Sequence, residues 1–240
     1  MSRNRRERHE REARTDGPKL ILAVVAVVGV LALAWALLGR DGASTEMVEF
    51  AQDEAPDART LIEQAQGITK GDPDAPVQIV EFADYQCGGC GAFARNVLPG
   101  LEEEYIDTGL ARLTLYDFPL TSIHQHAVLA ARAARCAGDQ DRYWDYHDVL
   151  FGRQAEWSSA RRATDLFLDY AGLLGLDSGS FESCLKSDRF TVEVSASARL
   201  GQELRVNATP TVFVNGSRVQ ATTSDGVGQL IDAALGRAGS

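Results

Sequence analysis

Hydrophobic positions along this chain change spacing from one stretch to the next, and each spacing predicts an element. The first stretch carries no charge: Leu20 to Leu38, 19 residues long. At a rise of about 1.5 Å per residue, a helix of that length spans the ~30 Å core of a bilayer, which predicts a transmembrane helix with Trp35 near one interface. From Asp41 to about Thr69 the sequence is acidic and weakly patterned and reads as a tether. The β-rich run Val77-Gln78-Ile79-Val80-Glu81-Phe82, preceded by Gly71, Pro73 and Pro76, predicts a central strand. After Cys90, residues Phe93, Val97, Leu101 and Tyr105 recur every four positions with Leu98 beside them. They predict a helix with one buried face, kinked at Pro99 because proline lacks a backbone donor. Leu110 to Phe118 returns as a strand.

Residues 122 to about 204 carry mostly helical patterns. Ala127, Ala130, Ala131 and Ala134 share one face, Trp144, His147 and Phe151 a second, and Leu166, Tyr170 and Leu174 a third. Thr211 to Val214 then predicts a strand ending in the turn signal Asn215-Gly216, with Arg218 to Ala221 as its hairpin partner and Gly226 to Arg237 as a closing amphipathic helix. The order is β-α-β, a helical insertion at about 122–204, then β-β-α, an α/β class.

Charge changes the picture by separating the two ends. The first 40 residues hold eight of the 24 bases and four of the 34 acids, so residues 41–240 carry a formal charge of −14. That surface excludes nucleic acid as a partner, because phosphates must be neutralised by Lys and Arg. The bases before Leu20 place the N-terminus in the cytoplasm by the positive-inside rule, with Arg40 on the other flank as a smaller opposing signal. The expected organisation is a basic cytoplasmic tail over 1–19, an anchor in the inner cell membrane over 20–38, an extracytoplasmic tether over 39–69 and a periplasmic domain over 70–240. A cleaved signal peptide is the alternative, but its apolar region is usually about 7–15 residues, and Asp41-Gly42-Ala43-Ser44 is a weak cleavage site. In both cases the domain is exported.

All four cysteines therefore meet an oxidising compartment. Of the three formal pairings, spacing favours Cys87 with Cys90 and Cys136 with Cys184. Cys87-Gly88-Gly89-Cys90 follows a strand and opens a helix, where free N–H groups and the helix dipole stabilise a thiolate. Cys87 is the expected nucleophile, and Cys90, about one turn on, the thiol that resolves a mixed disulfide. The competing reading of the motif is half of a zinc site. Zinc needs two further ligands; Cys136 and Cys184 stand alone in sequence, and His124 and His126 lie on different helix faces. No metal site is expected. A Cys136–Cys184 bond would close a loop long enough to contribute about 4 kcal/mol, as a structural staple.

Several segments together resemble the DsbA-like branch of the thioredoxin superfamily. They are Glu81-Phe82 leading into Asp84-Tyr85-Gln86-Cys87-Gly88-Gly89-Cys90, then Asp117-Phe118-Pro119-Leu120, Tyr143-Trp144 with His147, and Thr209-Pro210-Thr211-Val212-Phe213-Val214-Asn215-Gly216. The resemblance covers about residues 70 to 237 and implies a thioredoxin fold interrupted by the helical insertion. It implies that Pro210 is cis and faces the CxxC, and that the Thr209 backbone pairs with an extended substrate segment. It also implies that Glu81, beneath the CxxC, relays the proton of the buried thiol. The expected activity is dithiol–disulfide exchange that introduces disulfides into unfolded or partly folded exported proteins, without cofactor, with a membrane redox partner that reoxidises the CxxC. Disulfide isomerase or reductase action and a non-catalytic, chaperone-like binding module are the alternatives.

Overall fold

The computed structural model describes residues 58–220 and 222–238. In chain order these form α1 (Ala58–Ala65), β1 (Ile68–Lys70), β2 (Val77–Ala83), α2 (Gly88–Asn96), α3 (Leu98–Leu101), a π-type turn over Glu102–Ile106 and β3 (Ala111–Asp117). The insertion follows as α4 (Ala127–Gly138), α5 (Tyr143–Gly152), α6 (Gln154–Trp157), α7 (Ala163–Leu173), α8 (Ser178–Lys186) and α9 (Thr191–Glu203). The chain closes with β4 (Thr211–Val214), β5 (Ser217–Arg218) and α10 (Ser224–Ala238).

The strands make one sheet in the order β1-β3-β2-β4-β5. β2 runs parallel to β3 and antiparallel to β4, so its backbone is paired along both edges. A parallel neighbour requires a crossover, and α2, α3 and the turn after them supply it. Alternation along β2 then divides the core. Val77 and Ile79 face the crossover with Leu113 and Val212, packed under Phe93, Val97 and Leu101 and under Val227 and Ile231 of α10. Phe82 points to the other face, against Phe118, Leu61 and Ala65 of α1, and Leu200 of α9. Glu81 belongs by parity to the crossover face, the face that carries the CxxC.

The helical insertion has its own core, in which five alanines of α4 (Ala130, Ala131, Ala133, Ala134 and Ala137) let Tyr146, Trp157, Phe167 and Phe181 close in. In α7 the buried stripe is Ala163, Phe167, Tyr170 and Ala171, one position off the predicted Leu166–Tyr170–Leu174 face, because the Phe167 ring is fully buried against Trp157 of α6. A disulfide joins Cys136 of α4 to Cys184 of α8.

Three boundaries differ from the sequence reading. The helix after Cys90 is interrupted rather than merely bent. Pro99 cannot bond the Arg95 carbonyl, and the chain restarts as α3 and then widens, the Asp107 N–H reaching back to the Glu102 carbonyl at 2.8 Å. The hairpin partner of β4 is Ser217–Arg218, earlier and shorter than Arg218 to Ala221, set by Asn215 and Gly216 at φ 45° and 79°. The tether read through residue 69 gives way sooner to the fold, since α1 and β1 are parts of it. β1 is too short to show alternation, and α1 is held by packing on α9, which no local pattern announces. The anchor over 20–38 and the tail over 1–19 lie outside the described residues. Among the described residues no helix is long and apolar enough to cross a membrane.

Candidate active site

The C-terminal end of β2 delivers Asp84-Tyr85-Gln86 and then Cys87, which takes the N-cap position of α2 with extended backbone, φ −72° and ψ 123°. Its N–H donates to the Asp84 carbonyl at 3.0 Å and its carbonyl accepts the Gly91 N–H at 3.1 Å. The sulfur is half-buried, and both Cys87 and Cys90 are free thiols. From the other side of the sheet, the segment before β4 brings up Thr209 and Pro210, joined by a cis peptide bond. The Cys87 thiol donates to the Thr209 carbonyl at 3.3 Å. Gly89 backs onto the same segment: a Cβ there would stand 3.2 Å from Pro210 Cδ and 3.6 Å from Cys87 Sγ.

The two thiols have opposite chemistry. Hydrogen bonding from the Cys90 thiol lowers the Cys87 pKa from 9.0 to about 5; burial opposes this, while the Thr209 hydroxyl and the backbone N–H groups of Cys90 and Gly89 add to it. The Thr209 hydroxyl is buried and has no hydrogen-bond partner among the described residues, so it is available to donate to the thiolate. Cys90 is fully buried. Burial pushes its pKa well above the ordinary thiol range, helped by its bond to Cys87 and by the charges of Glu81 and Cys87, against one donor, the Asp84 N–H at 3.4 Å. At neutral pH the pair is one thiolate next to one thiol.

Glu81 is 2% exposed, between Leu115 of β3 and Val212 of β4. Burial raises its pKa from 4.5 to about 8, which leaves a carboxyl able to hold or release a proton near neutrality, and its charge is felt at Cys90. Cys136 and Cys184 lie in the helical insertion and do not join this cluster.

The sequence reading missed the polar groups that grip the segment before Cys87. The buried Asp84 carboxylate accepts from the Gln86 N–H, the Leu120 N–H and His124 Nδ1, each at 2.7 Å. Gln86 Nε2 donates to the Ser158 carbonyl at 2.7 Å and its Oε1 accepts the His126 N–H at 2.8 Å. Tyr85 donates to the Tyr143 hydroxyl at 3.0 Å. Gln154 Nε2 donates to the carbonyls of Tyr85 and Cys87 at 2.7 and 2.8 Å. The Asp84-Tyr85-Gln86 run beside the cysteines was a signal for the first part of this network. Nothing local marks Gln154.

Known proteins similar to this chain carry two kinds of name. The family model described as thioredoxin matches residues 63–233. The probable disulfide bond formation protein D of Bacillus cereus is 34% identical over 149 residues, 61% of this chain and 69% of that protein. The Na(+)/H(+) antiporter NhaA 1 of Salinispora arenicola is 37% identical over 149 residues, 62% of this chain, but the match spans only 22% of the antiporter's length. Among solved structures, oxidised BdbD from Bacillus subtilis superposes with a TM-score of 0.65 at 27% identity, covering 73% of this chain and 95% of BdbD.

Proposed function

The chain belongs to the thioredoxin family, and from that premise we propose that it is a DsbA-like thiol–disulfide oxidoreductase that introduces disulfides into exported proteins. The observation that carries the reading is the asymmetry of Cys87 and Cys90. A thiol with a pKa of about 5 is about 99% ionised at pH 7 and is the better leaving group of the two. Stabilising that thiolate stabilises the reduced enzyme, which makes its disulfide an oxidant.

In the oxidised enzyme a substrate thiolate attacks Cys87 Sγ. The Cys87–Cys90 bond breaks, and its electron pair leaves on Cys90, which takes a proton from the neutral Glu81 carboxyl. A second substrate thiolate then attacks the substrate sulfur of the mixed disulfide and Cys87 departs as a thiolate. The substrate leaves oxidised and the enzyme has gained two electrons, which a membrane redox partner removes. Thr209 offers its backbone to an extended substrate segment beside Cys87, and no cofactor takes part. The Cys136–Cys184 bond serves as a staple. Residues 20–38 anchor the domain on the outer side of the inner membrane, consistent with the uncharged run and the bases before it.

Equilibration of the full chain with glutathione buffers tests the direction. An oxidase has a potential nearer −120 mV, whereas about −270 mV, typical of reducing thioredoxins, overturns the oxidase assignment. Cys87→Ser tests the chemistry. If disulfide transfer survives in that variant, Cys87 is not the nucleophile and the exchange mechanism at this pair is wrong; a wild type that binds unfolded chains without transferring disulfides is a holding module.

A further inference from the structure

Gln154 opens α6 in the insertion, 67 residues from Cys87, and is 9% exposed. Both hydrogens of its carboxamide are directed to one place, the carbonyls of Tyr85 and Cys87 at 2.7 and 2.8 Å. The first of these residues lies at the end of the strand segment, and the second is the N-cap and nucleophile. The Cys87 carbonyl also accepts the Gly91 N–H, so the carboxamide and the first turn of α2 hold the same oxygen. Gly91 makes room for this and for the Arg95 guanidinium: a Cβ there would stand 2.5 Å from Gln154 Oε1, 2.7 Å from Arg95 Nη1 and 3.0 Å from Gln154 Cδ. The close approach of the amide to the helix therefore depends on glycine at that position.

A backbone carbonyl carries partial negative charge. Those of Tyr85 and Cys87 flank the turn that carries a sulfur that must become an anion, and without donors on them they disfavour negative charge there. The same two bonds fix the orientation of the peptide planes on either side of the strand-to-helix turn, and with it the aim of the Gly89 and Cys90 N–H groups. We propose that Gln154 is a positioning residue for the Cys87 thiolate, acting from the helical insertion through the carbonyls of Tyr85 and Cys87. This rests on the thiol–disulfide reading of Cys87. It assigns the insertion a part in reactivity through a residue bonded to the backbone of the turn.

The test follows the alkylation rate of the reduced full chain by iodoacetamide against pH. It requires a reactive Cys87 and no turnover, so it stands apart from the exchange assay on the wild type. Gln154→Met keeps length and removes both donors. Gln154→Glu keeps shape and places an oxygen against the two carbonyls. The alkylation midpoint is expected to rise by about one pH unit in Gln154→Met and further in Gln154→Glu, with the high-pH plateau unchanged. Gly91→Ala, which pushes the carboxamide off the turn, is expected to move it the same way. Folded variants that titrate with the wild type overturn the proposal. So does a Gln154→Met chain that fails to fold by circular dichroism, since that shows a purely structural role, and so does a wild-type midpoint near an ordinary ~8.5.

Discussion

The two cysteine pairs lie in one domain and are built for opposite ends. Cys87 and Cys90 sit at the end of a buried strand among groups that pull their acidities apart: Glu81 below, Thr209 across, N–H groups of the first helical turn around the sulfur. Cys136 and Cys184 join α4 to α8 beside a core of alanine methyls and aromatic rings, and Arg132 of α4 also donates to the Leu185 carbonyl of α8. The first region accepts a buried carboxyl and a half-buried anion for the sake of reactivity. The second supplies covalent stability. Reactivity is thus a property of the surroundings of a pair and not of cysteine content.

The largest effect expected breaks the comparison outright: Cys87→Ser reduces disulfide exchange to the uncatalysed background in an assay on a reduced, unfolded substrate, whereas Cys136→Ala with Cys184→Ala retains exchange at 25 °C. That double variant loses about 4 kcal/mol of stability by the loop-closure estimate, read in urea unfolding.

Glu81→Gln acts in the opposite sense on stability. The folded-state pKa of Glu81 is about 8 against 4.5 in the unfolded chain. Its favourable contribution is therefore complete below about pH 4.5 and is lost as pH rises through 8. Glu81→Gln is expected to be more stable than the wild type at pH 8 by up to roughly 4 kcal/mol, and indistinguishable from it at pH 4. On the proposed mechanism it should also slow exchange, because Cys90 then lacks the Glu81 carboxyl as proton source.

Cys87 runs the other way. Its folded pKa, about 5, is below its unfolded value, so the reduced protein gains stability from it above pH 9 and loses that gain as pH falls through 5. Cys90→Ala sharpens this point, since it removes the largest cause of the shift. The alkylation midpoint of Cys87 is expected to move up from about 5 by about one to two pH units, while the Cys136–Cys184 bond, read by mass spectrometry, stays intact.

Much of this was legible in the chain. The strand read over Val77–Phe82, the CxxC at a helix start, the helical insertion and the Asn215-Gly216 turn all rest on local spacing, and the structure has them there, the strand one residue longer. The α7 face was misjudged because Phe167 and Leu166 compete for burial and only the neighbouring helices choose between them. Gln154 and Asp84 were passed over because glutamine and aspartate occur everywhere on surfaces, and their partners are up to 69 residues away.

By itself the sequence determined the elements and singled out the CxxC pair on which the proposed exchange rests, because helix and strand periods and the CxxC spacing are set by neighbours along the chain. The tertiary structure decided how that pair behaves. Burial of Glu81 between two strands, the Thr209 carbonyl at the nucleophile and the carboxamide of Gln154 on the turn are contacts across the fold. A thiol or carboxyl takes its acidity from the charges, donors and solvent around it, and these are assembled only when distant segments pack together.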